Sequence, residues 1–315
     1  MSFMQIKDLN VHYPIRGGFF NTVVDHVYAV DGVTMEFEKG KTYGLVGESG
    51  SGKSTTGKAI IGLEKITSGS VIYEGEDVTN KRRNRNSSFN RDIQMIFQDS
   101  TSAMNPRKRI QDVLAEPIRN FMNLSPKEEK KRMIELLEIV GMSEEALLKY
   151  PHEFSGGQKQ RLGIARAVAC NPKMIIADEP VSALDLSVQA QVLNFMKDIQ
   201  TEFGLSYLFI SHDLGVVRHM CDHISIMYKG RFVEQGTQKD IYTNPQHVYT
   251  NRLLSAIPKI EPTTRAQRKE ERRAVEIAYR ADAEKYYDQD GKVYPLKDFS
   301  PTHKVAMMTS ERGEN

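Results

Sequence analysis

Gly47-Glu48-Ser49-Gly50-Ser51-Gly52-Lys53-Ser54 gives the sequence its plainest chemistry, because it has the G-x-x-x-x-G-K-[ST] spacing of a phosphate-binding loop. Glycines there let the backbone wrap tightly, so successive N–H groups and the following helix N-terminus aim at anionic oxygens. Lys53 is expected to reach the outer phosphates, Thr55 to follow on the same helix, and the Ser54 hydroxyl to offer Mg²⁺ a hard oxygen ligand. Downstream, Met174-Ile-Ile-Ala-Asp178-Glu179-Pro180 ends an apolar run on two adjacent carboxylates. Alternation along a strand sends neighbours to different places. One carboxylate can therefore face a metal shell while the other faces an attacking water. Between these motifs, Phe154-Ser155-Gly156-Gly157-Gln158 opens a helix, and its N-terminus is a second anion-binding site. One nucleotide does not need two such sites. Two chains set head to tail would use both, each loop receiving the other chain's Ser-Gly-Gly helix. An Asn-Lys-x-Asp guanine reader does not occur in the sequence.

Positioning these groups takes alternating strands and helices, the pattern of an α/β domain. Val33–Glu38 alternates apolar and polar residues, and Lys39-Gly40-Lys41 turns the chain. Thr42–Val46 reads as a buried strand feeding the loop and a helix from about Gly52 to Leu63. Residues 93–97, 174–177 and 205–210 read as further core strands. At Ser125-Pro126-Lys127-Glu128 a capping serine, a proline at the first helical position and a box-closing glutamate open a helix that Gly141 closes. Met133, Leu136, Leu137 and Val140 share one face of it. Residues 99–150 are thus expected to form a helical insert, and 99–170 a helical subdomain.

The composition is that of a soluble globular chain. Of 315 residues, 39% are hydrophobic and 27% charged, and the net charge of +2 gives no overall field toward nucleic acid or an anionic membrane. No stretch approaches the roughly 20 apolar residues of a spanning helix, and Met1–Val11 does not read as a secretory signal. Two cysteines, Cys170 and Cys221, do not make a disulfide framework or a cluster site. Both read as small apolar residues, and Cys221 with His223 lacks the further ligands a metal needs. The basic run Lys81-Arg82-Arg83-Asn84-Arg85 has no aromatic interleaving and reads as a solvated loop. No internal repeat is visible. From Glu261 to Tyr286, charges of both signs are dense, as in a solvated helix or a disordered tail.

Six motifs in order resemble the ATP-binding cassette (ABC) family over about 250 residues: the phosphate loop, Gln98, Ser155-Gly156-Gly157-Gln158, Asp178-Glu179, Ser182-Ala183-Leu184-Asp185 and His212. The resemblance implies a P-loop fold with a mixed-sheet core, an antiparallel β subdomain and a helical subdomain. That gives an ATP-binding domain over 1–258 and a charged extension over 259–315. It implies ATP and Mg²⁺, with Gln98 in the metal and water shell, Asp178 on the metal, and Glu179 as general base. His212 would meet the γ-phosphate, and Asp185 would lie at the dimer seam. Tyr13 is the expected adenine-stacking residue, with Tyr28 as its rival.

Tyr13–Phe20, Phe97–Arg107 and Asn244–Pro258 further resemble the F-type ATP-binding subunits of oligopeptide and dipeptide permeases. This implies a heterodimer with a D-type ATP-binding subunit, two integral membrane subunits, an extracytoplasmic peptide-binding protein and no nucleic acid. It places the chain peripherally on the cytoplasmic face of the membrane. A nickel importer of the same architecture, and a non-transport ABC ATPase acting on ribosomes or DNA, are the alternatives.

Overall fold

The computed structural model describes residues 2–79, 88–98, 104–257 and 265–308. The basic run 81–85, the first residues of the helical insert (99–103) and the junction 258–264 lie outside them. Period-two hydrophobicity shapes the beginning of the chain. β1 (Ser2–Gly17) and β2 (Thr22–Glu38) pair antiparallel, and Val33, Met35 and Phe37 are buried between exposed Thr34, Glu36 and Glu38. β3 (Thr42–Val46), buried at all five positions, runs into the phosphate loop and α1 (Lys53–Ile60). That helix is shorter than expected at both ends. Gly52 and Gly62, at φ of 105° and 75°, take the left-handed conformation that stops an α-helix. β4 (Ser68–Tyr73) and β5 (Glu76–Asp77) complete a small antiparallel sheet of order β2-β1-β4-β5.

α2 (Ser88–Asp92) leads to β6 (Ile93–Ile96), after which come α3 (Ile110–Phe121), α4 (Pro126–Ile139) and α5 (Gly156–Val168). The capping box expected at Ser125 is present, and Met133, Leu136 and Leu137 are the buried face of α4. β7 (Met174–Asp178), α6 (Leu186–Phe203), β8 (Ser206–Ser211), α7 (Leu214–Met220) and β9 (His223–Tyr228) then alternate. β3 lies between β8 and β9, with β7 and β6 beyond β8, and all five of these strands are parallel.

Helices and the small sheet cover both faces of these strands, which is why they read as unbroken apolar runs. On β7, Ile175 and Ala177 enter the core on the helical side, and Met174 and Ile176 the core beneath the small sheet. β8 divides Tyr207 and Phe209 from Leu208 and Ile210 in the same way.

β10 (Arg231–Thr237) pairs antiparallel with β9, and α8 (Gln238–Thr243) and α9 (Val248–Ser255) follow. Beyond them α10 (Arg265–Ala281) is helical, as one of the two sequence readings had it. The chain then does something the charge density did not suggest. Tyr279, Tyr287 and Val293 pack on the main core, and β11 (Leu296–Ser300) and β12 (His303–Ala306) join the central sheet, β12 pairing with β10. The free edge of β10 supplies the reason, since its unpaired N–H and C=O groups are a template for a further strand.

Candidate functional site

The phosphate loop leaves the C-terminal end of β3 at the centre of the parallel sheet, where α/β folds place their ligands. Glycine is required here by close approach. A Cβ on Gly47 would stand 2.2 Å from the Met227 carbonyl oxygen, and one on Gly52 would stand 2.1 Å from that of Ala29. Strands β9 and β2 therefore brace the loop. Gly230 N–H also donates to the Ser51 carbonyl at 2.9 Å, and Glu48 N–H to the Tyr249 hydroxyl at 3.2 Å. Inside the loop, Lys53 Nζ donates to the carbonyls of Gly47 and Glu48, both at 2.8 Å, and lies 3.5 Å from Ser51 Oγ. Burial pushes the Lys53 ammonium below the usual lysine range, while Glu179, Asp178 and Glu48 pull it back up.

Strand parity sorts the two carboxylates. Asp178 shares the side of Met174 and Ile176, toward α1, and the Ser54 hydroxyl donates to its Oδ1 at 2.8 Å. Burial raises the Asp178 carboxyl above its ordinary value, opposed by that hydrogen bond and by the Lys58 and Lys53 charges. Glu179 leaves the strand at φ 47°, a left-handed conformation costly for a residue with a side chain. Its carboxylate lies between Gln98 and His212. Gln98 Nε2 donates to Oε2 at 2.9 Å, and His212 Nδ1 is 3.1 Å from Oε1. Gln98 follows β6 and His212 follows β8, so three parallel strands deliver this trio to one sheet edge.

A cleft of about 710 Å³ runs past Ser49, Gly50, Gly52, Lys53, Ser54, Thr55, Gln98 and Glu179. Tyr28 lines this cleft. Tyr13 does not; burial and the nearby Glu64 carboxylate push its hydroxyl above the usual tyrosine range. Ser155, Gly156, Gly157, Gln158 and Asp185 do not line it either. Ser155 caps α5 reciprocally with Gln158, and Gly157 has a packing role, since a Cβ there would meet Val188 Cγ1 at 2.6 Å. Asp185 is exposed at the N-cap of α6 without a side-chain capping bond.

Sequence reasoning missed a further part of the cleft lining, formed by Asp31, Lys229, Gly230, Arg231 and residues 290–293. The Lys229-Gly230 turn between two apolar runs was the one available signal. Nothing marked residues 290–293.

Residues 30–182 match the ABC transporter family, and residues 233–289 match the oligopeptide/dipeptide transporter C-terminal region. The oligopeptide transport ATP-binding protein OppF of Lactococcus lactis subsp. lactis (strain IL1403) is 58% identical over 312 residues, covering 99% of this chain and 97% of the relative. The dipeptide transport ATP-binding protein DppF of Escherichia coli (strain K12) is 45% identical, covering 84% of this chain and 79% of the relative. Among solved structures, the ATP-binding cassette MJ0796, in a dimeric post-hydrolysis state bound to ADP and Pi, superposes with a TM-score of 0.65. It is 27% identical and covers 75% of this chain and 98% of that one. The ordered motifs, the parallel sheet that gathers them and full-length relatives agree: the chain belongs to the ABC transporter family, in the group carrying the oligopeptide/dipeptide C-terminal region.

Proposed function

We propose that this chain binds and hydrolyses ATP to energise an importer of oligopeptides or dipeptides, pairing head to tail with a second, D-type ATP-binding subunit. The observation that carries the chemistry is Glu179, whose carboxylate lies between Gln98 Nε2 and His212 Nδ1 beside the phosphate loop. A carboxylate so held can take the proton of a water that attacks the γ-phosphorus. The P–O bond to ADP then breaks, and the phosphate leaves. Lys53 and the loop amides hold the phosphate oxygens, and His212 reaches the γ-phosphate.

The donor set for a metal is all oxygen: the Ser54 hydroxyl, an Asp178 carboxylate and the Gln98 amide carbonyl. That suits Mg²⁺, which when bound would neutralise charge on the β- and γ-phosphates. Tyr13 is our candidate for stacking on adenine, and Tyr28 remains its rival because it lines the cleft.

Ser155, Gly156, Gly157 and Gln158 would act on the other chain's nucleotide, with Asp185 at the seam between chains. The exposure of Ser155, Gly156, Gln158 and Asp185, and the place of all five outside this chain's own cleft, support that reading. ATP would close the pair only by binding the closed state better than the open one. Closing and reopening would move two integral membrane subunits, with peptide delivered by an extracytoplasmic binding protein and no nucleic acid involved. Peripheral attachment at the cytoplasmic face follows. No helix among the described residues is long and apolar enough to cross a membrane, so attachment would be to protein partners. The C-terminal match and the names of the relatives support the peptide substrate. We assign residues 1–258 as the ATP-binding domain and 259–315 as a charged extension whose last part docks on that domain's sheet and cleft.

The test is Glu179→Gln. Nucleotide affinity is expected to stay within about twofold while phosphate release falls by a factor of about 10² or more, the usual scale for losing a general base. Turnover at the wild-type rate would remove Glu179 from its role.

A further inference from the structure

Part of the lining of the cleft that holds the phosphate loop comes from a segment far along the chain. Asp290, Gly291, Lys292 and Val293 line the same cavity as Lys53, Ser54 and Thr55. This turn is held in shape from within. Asp288 Oδ1 accepts the N–H groups of Asp290 at 3.0 Å and Lys292 at 2.8 Å, and Asp288 N–H donates to the Lys292 carbonyl at 2.9 Å.

Two routes tie it to the loop. Val293 is 3% exposed, and its carbonyl accepts from Arg231 Nη1 at 3.0 Å; Arg231 Nε donates to Asp31 Oδ2 at 2.8 Å, and the adjacent Gly230 N–H donates to the Ser51 carbonyl of the phosphate loop at 2.9 Å. By the other route, Tyr287 packs on Tyr228 and Tyr228 on Tyr249, whose hydroxyl receives the Glu48 N–H of the phosphate loop. Lys292 Nζ lies 3.2 Å from Asp31 Oδ2 and 5.7 Å from the Tyr28 ring centroid, on a half-exposed side chain. Arg231 already pairs with Asp31. The residues lining the cleft carry four positive charges, on Lys53, Lys229, Arg231 and Lys292, against three negative ones, on Asp31, Glu179 and Asp290, which leaves one positive charge in excess beside the phosphate loop.

We propose that the turn formed by residues 288–293 is the outer wall of the nucleotide site, and that Lys292 is a nucleotide-binding residue directed at the anionic phosphate chain. The C-terminal region is then part of the ATP site as well as of the sheet. The proposal rests on the reading of this cleft as the ATP site, and the two fail separately.

Binding of a fluorescent ATP analogue to the full chain, with Mg²⁺, is measured for wild type, Lys53→Ala, Lys292→Gln, Lys292→Arg and the surface control Arg280→Ala. We expect Lys292→Gln to weaken binding about three- to tenfold, the scale of one partly exposed charge-assisted contact. Lys292→Arg should restore it to within about twofold, and Arg280→Ala should leave it unchanged. If Lys53→Ala binds like wild type, the reading of the cleft itself is wrong. If Lys53→Ala loses binding while Lys292→Gln stays within twofold, or binds tighter as the removal of a plug would, the role of Lys292 is overturned. Should Lys292→Gln not fold, hydrogen exchange on the wild-type chain decides. ATP must slow the Gly291 and Lys292 amides, and unchanged rates overturn the proposal.

Discussion

Ser54 and Asp178 stand 124 positions apart in sequence, yet the hydroxyl of one donates to the carboxylate of the other at 2.8 Å. Ser54 lies in the first turn of α1, which begins at Lys53 after the left-handed Gly52, and Asp178 ends β7, so a helix start and a strand end create the contact. Both are hard oxygen donors, and Mg²⁺ would replace their shared proton contact with coordination. Ser54→Ala should weaken nucleotide binding about tenfold in Mg²⁺, equivalent to roughly 1.4 kcal/mol, and change it little in a chelator. Titration with and without the metal reads this out, and equal losses in both conditions would mean that Ser54 serves the loop rather than the cation. Glu179, next along, takes its left-handed φ of 47° beside Gln98 and His212. Backbone strain of this kind persists where surrounding contacts over-determine it.

Among the elements, β10, α9 and β12 meet at a buried polar hub. Glu234 accepts the backbone N–H groups of Gln246 at 2.7 Å and His247 at 3.1 Å, and lies 2.7 Å from His303 Nε2 on β12. The hub explains how a charged extension ends inside a sheet, since the β10 carboxylate binds the approach to α9 and β12 at once. His247 is fully buried, its Nδ1 accepts the Tyr249 N–H, and its ring packs 4.4 Å from that of Tyr286. Burial pushes its pKa down to about 3 from an ordinary 6.5. Between those values the unfolded chain binds the proton and the folded chain does not, so stability falls as pH drops below 6.5 toward 3. His247→Asn, whose side-chain oxygen can accept the same N–H, should flatten that slope by about one proton. Denaturant melts at pH 7 and pH 5 measure it, and identical slopes in variant and wild type would assign the acid sensitivity elsewhere.

At the scale of the whole molecule, the N-terminus of α1 opens into the chain's own cleft and that of α5 does not. A second chain is the economical use for the other. Ser155→Arg should therefore leave nucleotide affinity of the isolated chain within about twofold while abolishing ATP-dependent pairing with the second ATP-binding subunit. Size-exclusion chromatography with ATP, in the Glu179→Gln background, reads the pairing. A pair that persists would place the seam on another surface. The near-neutral charge of +2 fits the proposed assembly, in which contacts of protein on protein rather than lipid attraction would hold the chain in place.

The sequence by itself determined the site's local chemistry and the elements bearing it. The phosphate loop, the capped α4 and α5, and the apolar runs of β3, β7 and β8 are local features, because glycine spacing, capping boxes and hydrophobic period are properties of neighbouring residues. Strand parity even separated Asp178 from Glu179 in advance. The tertiary structure alone decided that Gln98 and His212 flank Glu179, that Tyr28 rather than Tyr13 faces the cleft, and that residues 290–293 wall it. These are long-range outcomes. Gln98 and His212 meet Glu179 only because β6 and β8 flank β7 in one sheet, an order no local pattern encodes. The extension read as solvated because its charges outnumber its anchors, yet a few buried groups, Tyr287, Val293 and His303, suffice to dock it on the free edge of β10. Burial of so few residues leaves no periodic trace in a charged segment, and their partners lie tens of residues away.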